Sequence, residues 1–400
     1  MQNQQLYSVD GIRISPVSAG IKKAGRLDVV LFELCEGATV AGVYTRNAFC
    51  AAPVILAKKH SAEQEPRYFL INTGNANAGT GEPGMQAALA CCTALASAAG
   101  VDKAQVLPFS TGVIGEALPV DKITAVLPQA LAGLSIESWG SAAQGIMTTD
   151  TVPKAYSERL EVAGKMVTIT GIAKGAGMIK PNMATMLAYI CTDAVIEQQS
   201  LNALCTDAAN RSFNRITVDG DTSTNDCCML VATGKAGLSY AELNEEDVRI
   251  FELALGRVFE NLAQAIIRDA EGASKFVSLI VEEGRDSREC LQVAYAIAES
   301  PLVKTALFAS DPNWGRIAAA VGRAGLAELD INKVNIFLDE ICIVKDGCRH
   351  PDYKESMGQA VMSKSDILIT VKLGRGSSTE KIWTCDLSYD YVKINAEYRT

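Results

Sequence analysis

Gly171-Ile-Ala-Lys174-Gly175-Ala-Gly177-Met-Ile-Lys180-Pro181-Asn182-Met-Ala184-Thr185-Met-Leu-Ala-Tyr-Ile190 is a glycine-rich loop that runs straight into an apolar strand opening on threonine. Glycines and a proline admit the strained backbone that a self-attacking loop needs. The Thr185 hydroxyl could attack the carbonyl of Ala184, pass through an ester by N-to-O acyl shift, and emerge after hydrolysis as a new N-terminus. An α-amino group has a reference pKa of about 7.7–8.0, so it can take the proton of its own residue's hydroxyl. One residue would then supply nucleophile and base. The same pattern also fits an ordinary loop-to-strand connection, because threonine is a common strand residue. The local pattern leaves both readings open.

Outward from this loop, strands are expected at 27–33, 41–44, 68–72, 165–172 and 185–191, with later ones at 334–338 and 366–372. Short runs rich in β-branched and aromatic residues support them. Helical spacing appears at 84–99, 198–214 and 244–270, the last long and amphipathic. Strands interleaved with long helices predict a layered α/β fold, with parallel and antiparallel pairing left open. Gly/Pro-rich breaks fall at 73–84, 174–182 and near 346–356. No fixed-period repeat is present.

Composition narrows the chemistry. The net charge of −9 is spread along the chain without a basic block, which disfavours nucleic acid. No apolar run is long enough for a membrane span, and the first residues do not read as a secretory signal; a cytoplasmic protein is expected. The twelve cysteines lack any C-x-x-C spacing, so buried free thiols are expected rather than zinc. Only two histidines occur. His60 lies in a polar stretch that reads as solvated, and His350 in a loop before a proline. A Ser-His-Asp triad or a multi-histidine metal site has few candidates. Asp219-Gly-Asp-Thr-Ser-Thr-Asn-Asp226 fails as a calcium loop, since Thr224 replaces the required glycine and Leu230 the required glutamate. It reads as a polar turn that supports a site.

Beyond the loop, further segments recur in order along the chain: Asn72-Thr-Gly-Asn-Ala-Asn-Ala-Gly79, Ser110-Thr-Gly-Val-Ile-Gly115, Met147-Thr-Thr-Asp-Thr151, Asp219 to Asp226, Arg268-Asp-Ala-Glu-Gly-Ala273, Ser310-Asp-Pro-Asn-Trp-Gly-Arg316 and Ile394-Asn-Ala-Glu-Tyr-Arg-Thr400. Each is weak alone. Together with Lys174 to Leu187, the ordered set resembles the ornithine acetyltransferase family, the glutamate N-acetyltransferases of the cyclic arginine pathway.

The resemblance implies cleavage between Ala184 and Thr185, giving an α fragment 1–184 and a β fragment 185–400. It implies an N-terminal-nucleophile-like sandwich of sheets and helices with a second, smaller α/β domain, and an assembly of two α and two β fragments. Thr185 would carry the acetyl group from N-acetylornithine to glutamate, with Thr111 and Gly112 as the oxyanion hole. Thr151, Lys174, Thr185, Glu271, Asn395 and Thr400 would bind substrate, the C-terminal tail returning to the site. A lysine suits an amino-acid carboxylate and a carboxylate suits ornithine's cationic end. No cofactor or metal is implied; acetyl-CoA is an optional second acetyl donor. Two alternatives stand beside this reading. One is an N-terminal-nucleophile amidohydrolase or aminopeptidase that passes the acyl group to water, and the other a metabolite-binding protein that never cleaves.

Overall fold

The structure, a computed structural model, describes residues 5–180 and 186–397. Ala184, Thr185 and Thr400, and with them the expected cleavage point, lie outside the described residues. The chain forms two compact units: Met1–Asn214 with Thr222–Ile266, and Arg215–Asp221 with Ile267–Thr400. The strands of the first unit are β1 (Ile12–Val17), β2 (Val29–Leu34), β3 (Thr39–Tyr44), β4 (Tyr68–Asn75), β5 (Val106–Val113), β6 (Lys154–Val162), β7 (Lys165–Lys174), β8 (Leu187–Thr192) and β9 (Cys227–Ala232). Those of the second are β10 (Phe276–Gly284), β11 (Asn335–Leu338), β12 (Ile341–Lys345), β13 (Cys348–Arg349), β14 (Asp366–Lys372) and β15 (Ser378–Cys385).

The first unit has two sheets, ordered β1-β2-β4-β5 and β3-β9-β8-β7-β6. β4 and β5 run parallel, as do β8 and β9; the other neighbours are antiparallel. Side-chain alternation lets each strand serve two layers. Phe32, Phe69 and Phe109 from one sheet meet Tyr189 of β8 at ring-centroid distances of 5.4, 5.9 and 5.3 Å. Leu187 and Cys191 join Tyr189 in that inter-sheet core, with Cys227, Met229 and Val231 of β9. On its other face, the first sheet turns Leu31, Leu70 and Val106 toward the helices Gly81–Ala99 and Val120–Ala132. The second sheet is covered by Gln198–Arg211 and Glu245–Arg268: a Cβ on Gly171 would stand 2.9 Å from Leu262, so the helix sits close on glycine. The result is helix, sheet, sheet, helix. All six residues of β8 are buried, as expected of a strand covered on both faces.

The second unit is a six-stranded sheet ordered β13-β12-β11-β14-β10-β15, with only β10 and β14 parallel. Ser287–Ala298, Pro301–Phe308, Trp314–Gly322 and Glu355–Met362 share its core. The layered α/β sandwich and the second, smaller α/β unit agree with the fold expected from sequence. No helix among the described residues is long and apolar enough to cross a membrane.

The seven strands and three helices expected from sequence are present, beside further strands and helices that were not anticipated, and two local readings are corrected for physical reasons. The helix expected over 198–214 ends at Arg211 and tightens into a 3-10 turn at Phe213–Arg215, where Phe213 packs on Phe259 at 5.7 Å. His60 is not solvated. It lies on the inner face of the helix Ala52–Glu63, is 2% exposed, and its Nδ1 sits 2.8 Å from the Val106 carbonyl oxygen. The polar neighbours that suggested exposure occupy the helix's other faces. The twelve cysteines are free thiols and most are buried.

Candidate active site

The parallel pair β4 and β5 sets Asn72, Thr73 and Gly74 beside Ser110, Thr111 and Gly112. Gly112 has φ +132°, and a Cβ there would fall 2.3 Å from the Gly74 carbonyl carbon. The two glycine turns therefore touch backbone to backbone, which no other residue permits. Buried amides brace this turn from behind. The Ser110 hydroxyl donates to Asn72 Oδ1 at 2.5 Å. Asn225 Nδ2 donates to the carbonyls of Ala76 (2.6 Å) and Ser110 (2.9 Å), while the Thr224 hydroxyl donates to Asn225 Oδ1 at 2.6 Å. Each buried polar group thus has a partner.

Lys174 closes β7 and is buried, with Nζ donating to Thr111 Oγ1 at 3.3 Å. The antiparallel register places Lys174 opposite Leu187, and Leu187 opposite Cys227 of β9. The start of β8 thus lies alongside Lys174, which in turn touches Thr111. Beneath Lys174 is a carboxylate. Asp150 accepts the Gly175 N–H at 2.7 Å and the Thr148 N–H at 2.9 Å, and Lys154 Nζ donates to it at 2.6 Å. Burial works to raise its pKa, but the charges of Lys174 and Lys154 and the Gly175 hydrogen bond outweigh that and hold it at about 2. Thr151, the next residue, is exposed on the turn.

The second unit brings two more expected residues together. Glu271 is buried and accepts a hydrogen bond from Asn395 Nδ2 at 2.9 Å. Asn395 belongs to the helix Tyr389–Ala396, whose start is clamped to the Glu271-Gly272 turn: the Ser388 hydroxyl donates to the Gly272 carbonyl at 2.6 Å. A Cβ on Gly272 (φ +68°) would lie 2.5 Å from the Tyr391 nitrogen. The Tyr391 hydroxyl donates to Asp219 Oδ2 at 3.2 Å, and burial, with Asp219 and Glu271 nearby, pushes its pKa well above the usual phenol value. Asp219, within the stretch read from sequence as a supporting polar turn, supports this helix. No cluster of His, Cys, Asp and Glu among the described residues could hold a metal ion.

The model of the ArgJ family matches residues 13–400. The chain belongs to the ArgJ family. The arginine biosynthesis bifunctional protein ArgJ of Pseudomonas syringae pv. tomato is 58% identical over 398 residues, spanning 99% of this chain and 98% of that protein. The ArgJ of Pseudomonas fluorescens is likewise 58% identical over 398 residues. Among solved structures, the arginine biosynthesis bifunctional protein ArgJ from Bacillus halodurans is 39% identical, with a TM-score of 0.48 over 51% of this chain and 95% of its own. Membership of the ArgJ family bears out the resemblance carried by the ordered motifs. Sequence reading did not single out Asp150, Lys154 or Asn225 as separate actors. Asp150 and Asn225 sit inside quoted motifs, but nothing in the chain marks Lys154, because a buried ion pair between a turn and a strand has no periodic signature.

Proposed function

We propose that the chain transfers acetyl from N2-acetyl-L-ornithine to L-glutamate in arginine biosynthesis, through an ester on Thr185. The observation that carries this is the register of Lys174 with Leu187, joined to the contact between Lys174 and Thr111. It sets the start of β8, the strand that follows Thr185 in sequence, beside a buried ammonium group that touches the Thr111-Gly112 turn.

In this reading, cleavage after Ala184 yields fragments 1–184 and 185–400 and frees the Thr185 amine. That amine takes the Thr185 hydroxyl proton as the oxygen attacks the acetyl carbonyl. The Thr111 hydroxyl and a backbone N–H of the Gly112 turn receive the oxyanion. Collapse breaks the amide bond, and the departing ornithine amine takes the proton back. Glutamate's amine then attacks the ester and leaves as N-acetylglutamate. Lys174 and Thr151 hold the amino-acid carboxylate; Glu271 and Asn395, with Thr400, take the cationic end of ornithine. The acetyl group passes directly between amino acids, so no bound cofactor is needed. The relatives are named bifunctional, which favours acetyl-CoA as a second acetyl donor to glutamate. The assembly is two α and two β fragments, in the cytoplasm.

The test is intact mass under denaturing conditions, paired with acetyl transfer from N-acetylornithine. Wild-type protein should give two fragments, the second beginning at Thr185, and Thr185→Ala should stay uncut and inactive. Release of acetate independent of glutamate would favour the hydrolase alternative. An uncut wild-type chain would end the mechanism.

A further inference from the structure

The proposed reaction gives no task to Ser18-Ala-Gly-Ile-Lys-Lys-Ala-Gly-Arg-Leu-Asp28, the link between β1 and β2. Yet this link lies against the turn that is to hold the oxyanion. A Cβ on Gly74 (φ +92°) would stand 3.0 Å from Lys22 Cγ and 3.3 Å from Ile21 Cγ2, so both side chains rest on that glycine. Gly74 in turn is the residue whose backbone Gly112 touches. The hub of the link is Asp28, a carboxylate only 3% exposed. Its Oδ1 accepts the Ala19 N–H and its Oδ2 the Ile21 N–H, each at 2.6 Å. Its backbone carbonyl accepts the Thr73 N–H at 2.9 Å. A buried carboxylate is costly unless it is satisfied, and here the backbone of the link satisfies it. One residue therefore fastens the link to itself and to the strand that carries Gly74.

Further ties run to both sides of the site. Lys122 Nζ donates to the Gly20 carbonyl at 2.7 Å. Arg26 donates to the carbonyls of Met147 (2.7 Å) and Thr148 (3.1 Å), in the turn that carries Asp150 and Thr151. Lys22 Nζ pairs with Glu116 at 2.7 Å, but both side chains are exposed and such a pair is weak. What Lys22 offers the site is its stem, laid along Gly74. We propose that residues 18–28 position the oxyanion turn: fastened by the Asp28 carboxylate, the link presses Lys22 and Ile21 onto Gly74 and so fixes the Thr111-Gly112 donors. Asp28 and Lys22 are positioning residues that act through Gly74 and touch no reacting atom. This inference rests on the acetyl-transfer reading above, with Thr111 and Gly112 as donors.

The experiment measures kcat and both KM values for acetyl transfer from N-acetylornithine to glutamate. The proteins are wild type, Asp28→Asn, Thr111→Val, their double variant, Lys22→Ala and Lys22→Met. Intact mass and circular dichroism check cleavage and folding of each. Asparagine has one acceptor oxygen, so in Asp28→Asn one of the two backbone N–H groups meets an amide donor and the link loosens. That variant should lose about 30-fold in kcat through displaced donors, with both KM values within about threefold of wild type, the pattern of an interaction made only in the transition state. Thr111→Val should lose about 100-fold or more. A donor already removed cannot be misplaced, so the double variant should be at least about tenfold faster than the product of the two losses predicts. Independent structural damage would multiply instead. Lys22→Ala should lose about 3- to 10-fold in kcat, while Lys22→Met keeps the stem and should stay within about twofold of wild type. A folded Asp28→Asn with kcat within about threefold of wild type, or with its loss in KM, overturns the proposal. So do single losses that multiply, Lys22→Ala at the wild-type rate, or Lys22→Met as slow as Lys22→Ala. Where Asp28→Asn does not fold, the lysine pair decides. A wild type without acetyl transfer, or Thr111→Val at full rate, overturns the reading beneath. A slow Thr111→Val beside a fast Asp28→Asn overturns this inference alone.

Discussion

Asn225→Ala separates the frame of the site from its chemistry. Asn225 touches no expected substrate position, but its amide ties together the segment after β4, the end of β5 and the Thr224 hydroxyl. Truncation leaves the buried carbonyls of Ala76 and Ser110 and the Thr224 hydroxyl each short of one partner. A buried polar group left unsatisfied costs about 1–3 kcal/mol, but carbonyls in a strand pair keep part of their bonding, so a total of about 2–4 kcal/mol is expected. Ser110 immediately precedes Thr111, so loosening its carbonyl also lets the Thr111-Gly112 turn shift. Displacements near 1 Å at a reacting centre cost about 100-fold in rate, and a fall in kcat of about 10- to 100-fold is expected with a smaller change in KM. Urea unfolding gives the stability, and acetyl transfer from N-acetylornithine to glutamate gives kcat. A variant within about 0.5 kcal/mol of wild type and with unchanged kcat would show that the bracing drawn here has no energetic weight.

Two further outcomes follow from the same geometry. Gly112→Ala places a methyl 2.3 Å from the Gly74 carbonyl carbon at φ +132°, where the backbone conformation alone costs about 1–3 kcal/mol. It should lower kcat at least 100-fold or so by moving an oxyanion donor, and full activity with an unmoved turn would refute the assignment. Asp150 bears on acid stability: its folded pKa of about 2 lies below an unfolded value of about 3.9. A depressed carboxylate stabilises the fold above the unfolded pKa and loses that contribution as pH falls through the folded one. The stability advantage of wild type over Asp150→Asn should therefore shrink by about 2 kcal/mol between about pH 5 and pH 2, and a constant difference would show that the carboxylate is not held ionised by its neighbours.

The amino-acid sequence by itself determined the element types where periodicity was strong, such as the helix at 244–270 and the strands at 68–72 and 165–172, and it determined the family, because ordered motifs span the chain. Through the family resemblance that those motifs carry, it also pointed to Thr111, Gly112, Lys174, Glu271 and Asn395 as expected site residues. It misjudged His60, because local polarity does not say which face of a helix meets a neighbouring strand. Tertiary structure alone decided the pairing of β7 with β8, the touch of Lys174 on Thr111, and the bond between Asn395 and Glu271, residues 124 positions apart. It alone showed that Asp150 and Lys154 pair out of water. Hydrophobic period and turn chemistry act over a few residues and are written locally. The partner of a buried charge is fixed by which strands the fold lays side by side, and that choice belongs to the packed sheet as a whole.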